Sequence, residues 1–367
     1  MTTFSNIENA TLEEAATIIE TLIQIDNFRP AMLWGPYGLG KSSIVRSIVA
    51  SLSEQTGKPW KLIDVRASQL AAVDTRGIPD LVDGFTQFAI PGWLPREDRD
   101  GEQGILFLDE LMLGSGSTQA ALYQLLNDRA LGDYVLPSGW RMIAASNRPA
   151  DGAGVHGRQD AALMTRFSVQ LNIVPAVEPF IDYASGAGWA PEVIAFLANR
   201  GRPVLKGDGT IDQPGLLHEY PDGGIAKGFT AAATPRGWES VSGILQAGLP
   251  KHLEQIAIAG AVGKGAAAEF VGFLQIVRNL PDAGLILADP DSVDVPGDNE
   301  LATRYAIATI LAQRVEVANV ANAVSYLRRI DEELLAVFFL IATNRDTNLK
   351  ATDAYVQFKI DTQRVAI

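Results

Sequence analysis

The sequence predicts an α/β domain over residues 1–175, a parallel sheet flanked by helices. It predicts an all-α region over 176–280 and a C-terminal helical extension over 281–367. Three observations carry this expectation. Apolar runs of strand length alternate with segments of helical period up to Val174. One strand-to-helix transition is a glycine-rich loop. Beyond Pro175, apolar residues recur at helical spacing instead.

The elements follow in order. Thr11 and Glu14 make a capping-box pattern, and Leu12, Ala15, Ile18, Ile19 and Leu22 fall on one face of a helix over 11–25. Ala31-Met32-Leu33-Trp34 reads as a short buried strand. Next comes Gly35-Pro36-Tyr37-Gly38-Leu39-Gly40-Lys41-Ser42, which fits G-x-x-x-x-G-K-[ST] in full. A helix from Ser43 follows, apolar at 44, 45, 48, 49 and 52. Strand, glycine loop and helix start are the context a phosphate site needs. Glycines let backbone N–H groups curl around phosphates, and the helix start adds partial positive charge. Gly35 through Ser43 line this cradle. Lys41 is placed to reach the β- and γ-phosphates, and the Ser42 hydroxyl to ligate Mg²⁺. ATP and Mg²⁺ are therefore the expected cofactors.

Lys61 to Arg66 reads as the second strand. Asp74 to Pro79 and Gly84 to Trp93 suggest a hairpin with exposed aromatics and prolines, within 73–95. It is either a packed surface hairpin or a loop near a pore that touches a partner. Gly104-Ile105-Leu106-Phe107-Leu108-Asp109-Glu110 reads as a central strand with two carboxylates at its carboxyl end, where ligands bind in open α/β sheets. Asp109 would hold Mg²⁺ through water, and Glu110 would orient the attacking water. The second acid favours hydrolysis over phosphoryl transfer to a small acceptor, as in a kinase. Gly114 to Gly116 reads as a turn, and Ser117 to Asp128 as a helix. Trp140 to Asn147 reads as a neighbouring parallel strand with an amide at its tip, able to bond the lytic water or the γ-phosphate. Val169 to Val174 is the last strand.

Past Pro175 the reading is helical. A Gly-, Pro- and Asp-rich loop spans Gly201 to Phe229. A helix runs from Arg236 to Leu249, another helical stretch rich in Ala and Gly covers Lys251 to Leu280, and Pro281 to Asn299 is a break. Apolar helical runs at Tyr305–Ala312, Val317–Leu327 and Leu334–Ile341 complete the chain.

The ordered set Gly35 to Ser42, Asp109-Glu110, Asn147, Arg166-Phe167 and Thr234-Pro235-Arg236 resembles the AAA+ ATPases, and within them the MoxR-like group, over roughly residues 10–250. The segment from Asn147 to His156 also resembles the turn that follows the sensor-1 residue in this group. The resemblance implies a homo-oligomeric ring, usually a hexamer, with ATP sites between subunits. It implies sensor 1 at Asn147, an arginine finger at Arg166, with Arg158 competing for that role, and a sensor-2 arginine at Arg236. It also implies a protein client, usually one with a von Willebrand factor A domain, and a chaperone-like role in remodelling or maturing it.

Composition sets the outer bounds. The 367 residues are 47% hydrophobic and 20% charged, ordinary for a globular protein with two or three domains. A net charge of −13 argues against a broad phosphate-binding surface for DNA or RNA. With no cysteine there is neither a disulfide nor a thiolate metal site, and His156, His218 and His252 are scattered. The first residues lack a signal-peptide pattern and no apolar run reaches spanning length, so the cytoplasm is the expected location. The alternatives to an ATP-driven remodelling ring are a nucleic-acid motor and a nucleotide-gated scaffold with little turnover. Lys41→Ala is expected to abolish tight ATP binding in calorimetry with magnesium present. Unchanged affinity would place the nucleotide elsewhere.

Overall fold

The computed structural model describes residues 7–25, 28–148, 165–202, 204–205, 211–213, 215–219, 231–278, 280, 282–297 and 300–365. The chain divides into two compact units, one running to Pro175 and the other beginning at Ala176.

The first unit is built on a six-stranded, all-parallel sheet. Its strands are β1 (Asn9–Ala10), β2 (Ala31–Trp34), β3 (Lys61–Arg66), β6 (Gln103–Asp109), β9 (Gly139–Ser146) and β10 (Val169–Ile173), in the order β1-β10-β2-β9-β6-β3. Two hairpins, β4–β5 (Pro79–Val82, Phe85–Phe88) and β7–β8 (Ala130–Leu131, Tyr134–Val135), lie outside it. Successive side chains of a strand point to opposite faces, so the apolar runs supply two cores at once. Leu33, Ile105, Phe107, Ile143 and Ala145 face α1 (Leu12–Leu22) and α2 (Lys41–Thr56), which bury Ile19, Val45, Ile48 and Leu52 against them. Met32, Trp34, Leu106, Leu108 and Met142 face the other way, toward Leu122, Leu125 and Leu126 of the helix Gly116–Asp128. The Thr11–Glu14 capping box forms at the start of α1.

The hairpin expected within 73–95 is β4–β5, paired from Pro79↔Phe88 to Val82↔Phe85. Its turn is Asp83-Gly84, with φ of 51° and 81°, the two positive values a type I′ turn requires. Leu81 and Phe85 are 76% and 75% exposed, so this ribbon packs neither face on its own unit. β1 and β7–β8 are additional to the elements expected from the sequence. The latter turns at Gly132, and its Gly132-Asp133 pair is the signal that could have revealed it.

The second unit is helical and has one core. Buried residues run without interruption from Val177 through Trp238, Phe270, Leu311 and Phe338 to Leu349. The helices before and after residue 280 therefore share their interior, although the sequence suggested a boundary there. Phe196, Trp238 and Phe270 form an aromatic cluster with centroids 5.1–5.5 Å apart. The helical stretch expected over 251–280 consists of two helices, Lys251–Val262 and Lys264–Arg278. Gly263 divides them at φ +84°, where an added Cβ would stand 2.4 Å from the Ala231 carbonyl oxygen. Within the expected break 281–299, Ala283–Ala288 forms a short helix capped by Asp282, and it buries Ile286 and Leu287. Part of the expected loop 201–229 is a small antiparallel pair, β11 (Val204–Leu205) with β12 (Ile211–Gln213). A last helix, Asp353–Val365, was not foreseen.

Gly263→Ala is expected to cost about 1–3 kcal/mol through backbone strain and the close carbonyl. Phe270→Ala, at a fully buried position, should cost about 3–5 kcal/mol. Denaturant unfolding of the full chain measures both, and a Gly263→Ala protein as stable as wild type would contradict the strained turn.

Candidate active site

The parallel register brings the motif residues to one edge of the first unit. Trp34 pairs with Ser146, and Leu108 with Ala144, so β2, β9 and β6 all end near one level. Gly35, Asn147, Asp109 and Glu110 emerge side by side at their carboxyl ends. β9 lies between the other two strands, and so separates the loop strand from the acid strand by about 10 Å, two strand spacings.

The loop is tied to this edge. Gly35 N–H donates to the Ser146 carbonyl at 3.2 Å. Gly40 sits at φ +98° and ends the loop at the first residue of α2, whose N-terminus carries no side-chain cap. Lys41 is only 8% exposed. Its ammonium donates to the carbonyl oxygens of Gly35 (2.6 Å) and Pro36 (2.8 Å) and to Asn147 Oδ1 (3.2 Å). A buried ammonium needs such partners, and a phosphate oxygen is a stronger one. Lys41 and Asn147, 106 positions apart, thus meet directly.

Ser42 Oγ donates to Asp109 Oδ2 at 2.8 Å. That bond leaves the hydroxyl lone pairs for a cation, with Asp109 able to act one shell further out through water. Hard oxygen donors of this kind suit Mg²⁺, which keeps several waters and takes few protein ligands. Among the described residues no cluster of three or more His, Cys, Asp or Glu competes for a metal. Negative charge accumulates here. Burial and the nearby Asp109 carboxylate push the Asp64 carboxyl above its usual range, against the pull of Arg46 and Arg66. Arg46 bonds Asp64 at 3.3 Å, while Arg66 is level with Asp109 across β3–β6.

Glu110 adopts a left-handed conformation, φ 54° and ψ 35°. Its N–H donates to Asp109 Oδ1 at 2.8 Å. Its carboxylate accepts a hydrogen bond from Ser68 Oγ. The turn beyond it is clamped by Gln119 Nε2, which donates to the carbonyls of Met112 (3.1 Å) and Gly114 (2.9 Å). Met112 N–H in turn donates to Ser146 Oγ at 3.3 Å.

One expected residue, Arg166, stands apart from this group. Arg166 precedes Val169, which pairs with Ala31 at the start of β2. It therefore lies at the amino edge of the sheet, the end opposite Lys41, and its buried Nε has no hydrogen-bond partner. Arg236 is exposed in the second unit, in the first turn of Pro235–Gln246, behind a Thr234 cap that accepts from Gly237 N–H at 3.1 Å. Arg158 and the turn around His156 lie outside the described residues. Sequence reasoning missed Asp64, Ser68 and Ser146. No local pattern marks Ser68, whose partner is 42 positions away.

Residues 30–167 match the family described as AAA domain (dynein-related subfamily). That segment is an AAA+ domain with a P-loop, and its flanked parallel sheet agrees. No curated protein sequence matches the chain. Solved structures similar to it include NtrX from Brucella abortus in complex with ATP, at 13% identity over 98% of this chain and 69% of that one, TM-score 0.38. Another is the Thermotoga maritima RuvB Holliday junction branch migration motor, at 18% identity over 85% of each chain, TM-score 0.37. Likeness at this level carries no argument about role. Among the described residues no helix is long and apolar enough to cross a membrane.

Asp109→Asn is expected to lower the Asp64 pKa toward its ordinary value, since one of the two raising influences is removed while burial remains. Carboxyl NMR titration reads this directly. An unmoved Asp64 would mean the two carboxylates do not share a field.

Proposed function

We infer that this chain hydrolyses Mg-ATP as a MoxR-like AAA+ ATPase in a homo-oligomeric, hexameric ring, and uses the cycle to remodel or assemble a partner protein, one with a von Willebrand factor A domain. The observation that carries the reading is the meeting of Lys41 with Asn147, and of Ser42 with Asp109, at one sheet edge. Four residues from three separate segments converge there. Bound Mg-ATP supplies a γ-phosphoryl electrophile whose oxygens the ion partly neutralises.

Each group then has a task. Lys41 exchanges its carbonyl partners for phosphate oxygens. Asn147 holds that ammonium and the lytic water. Ser42 and Asp109 hold the ion, and the backbone of Gly35 to Ser43 cradles the phosphates. Glu110 aims the water. Arg166 supports this reading by its position: at the amino edge it is remote from its own loop, so a finger role requires a neighbouring subunit. Arg236 serves as the sensor of the γ-phosphate from the helical unit, in which the lid spans 176–280 and the extension spans 281–367. The exposed apolar ribbon β4–β5 suits contact with a protein better than with nucleic acid, in a chain of net charge −13. The location consistent with this role is the cytoplasm.

Glu110→Gln should bind ATP with wild-type affinity and hydrolyse it orders of magnitude more slowly. Mixed with Arg166→Ala subunits, it should recover activity at intermediate ratios, because some interfaces then pair an intact Glu110 with an intact Arg166. No recovery at any ratio would remove the shared site.

A further inference from the structure

We propose that Asn172 is a positioning residue for hydrolysis: through Arg148 it fixes the strand end that presents Asn147 to Lys41. The proposal rests on the ATP-hydrolysing reading above and adds one residue to the same site. Asn9, Asn172, Trp34 and Ser146 form one row across β1, β10, β2 and β9. Asn147 and Arg148 directly follow the last residue of that row. Asn147 Oδ1 accepts from the Lys41 ammonium at 3.2 Å. Arg148 Nη1 donates to Asn172 Oδ1, also at 3.2 Å. Because β2 lies between β9 and β10, the arginine arm spans the carboxyl end of the loop strand and is anchored on its far side.

Asn172 is 7% exposed. A buried amide costs free energy unless both of its ends are bonded, and here both are. A guanidinium has donors and no acceptor, so Asn172 must turn its Oδ1 to Arg148 and its Nδ2 away. That Nδ2 donates to Asn9 Oδ1 at 2.5 Å. The Asn172 N–H donates to the Glu8 carbonyl at 3.0 Å. Bonds on both flanks thus leave the amide one orientation, with its acceptor aimed at Arg148. An apolar side chain could fill the same row, so packing alone does not call for an amide at 172. On the near side of Asn147, Ser146 accepts from Gly35 N–H and from Met112 N–H. Arg148 supplies the anchor on the other side, a charge-assisted bond. With this tether cut, Asn147 would spend less time on the ammonium and the lytic water. Lys41 would still hold the phosphates, so the loss falls on kcat and not on binding.

The experiment compares Asn172→Leu, Asn172→Asp and Arg148→Met with wild type in the full chain. Asn172→Leu should lower kcat about tenfold, the weight of one hydrogen bond to a charged group, with calorimetric Mg-ATP affinity unchanged. Arg148→Met, which cuts the same bond from its more exposed end, should give the same loss if Asn172→Leu folds poorly. Asn172→Asp keeps an acceptor for Arg148, and Asn9 can turn its own amide to donate, so kcat should stay at the wild-type value. In an Asn147→Ala background, Asn172→Leu should lower the residual kcat no further, an outcome that a merely structural role would not produce. A wild-type kcat in both Asn172→Leu and Arg148→Met, or losses that multiply with Asn147→Ala, overturns the proposal. A denaturant-unfolding cycle of Arg148→Met with Asn172→Leu in the nucleotide-free protein reads the bond without turnover. Absence of coupling there also overturns the proposal. Coupling in that cycle together with a wild-type chain that does not hydrolyse Mg-ATP would instead overturn the functional reading, and the positioning role with it.

Discussion

The interposition of β9 between the loop strand and the acid strand is the constraint on which the rest of the site depends. Were β2 and β6 direct neighbours, about 5 Å apart, Asp109 and Glu110 would close on Lys41 and leave no room for a phosphoryl group. With β9 between them the amide of Asn147 occupies the middle position and reaches the ammonium directly. Parallel pairing then sets the heights. Because all three strands end near one level, backbone geometry brings together groups that are 106 and 67 positions apart in the chain.

The polar groups at this edge are each satisfied, but the partners differ in strength. Lys41 donates to neutral carbonyl oxygens, which charged oxygens would replace with gain. Asp109 serves a hydroxyl and a backbone N–H at once. Glu110 stands in a left-handed conformation that a non-glycine residue adopts at some cost, and the hydrogen bonds around it hold it there. Asp64 feels the same crowding as a raised pKa.

The second unit is governed by packing instead. Its helices are tied together by aromatic contacts around Phe196, Trp238 and Phe270. Helices on both sides of residue 280 bury side chains in one interior. A cut at that point would expose the same faces on both fragments.

The sequence alone marked the candidate site residues and most of the elements. A glycine loop between a strand and a helix, two acids after four apolar residues, and a capping box are local signals, and local backbone preferences produce them without help. A hairpin within 73–95 was legible from its aromatic- and proline-bearing segments, while its Asp83-Gly84 turn came from the structure. What only the tertiary structure decided is which ends meet. The place of β9, the pairing of Ser68 with Glu110, the removal of Arg166 to the far edge and the shared core across residue 280 all depend on long-range contacts. Strand order and helix packing are chosen by the burial of whole faces, a sum over many residues, and no short stretch of chain carries that sum.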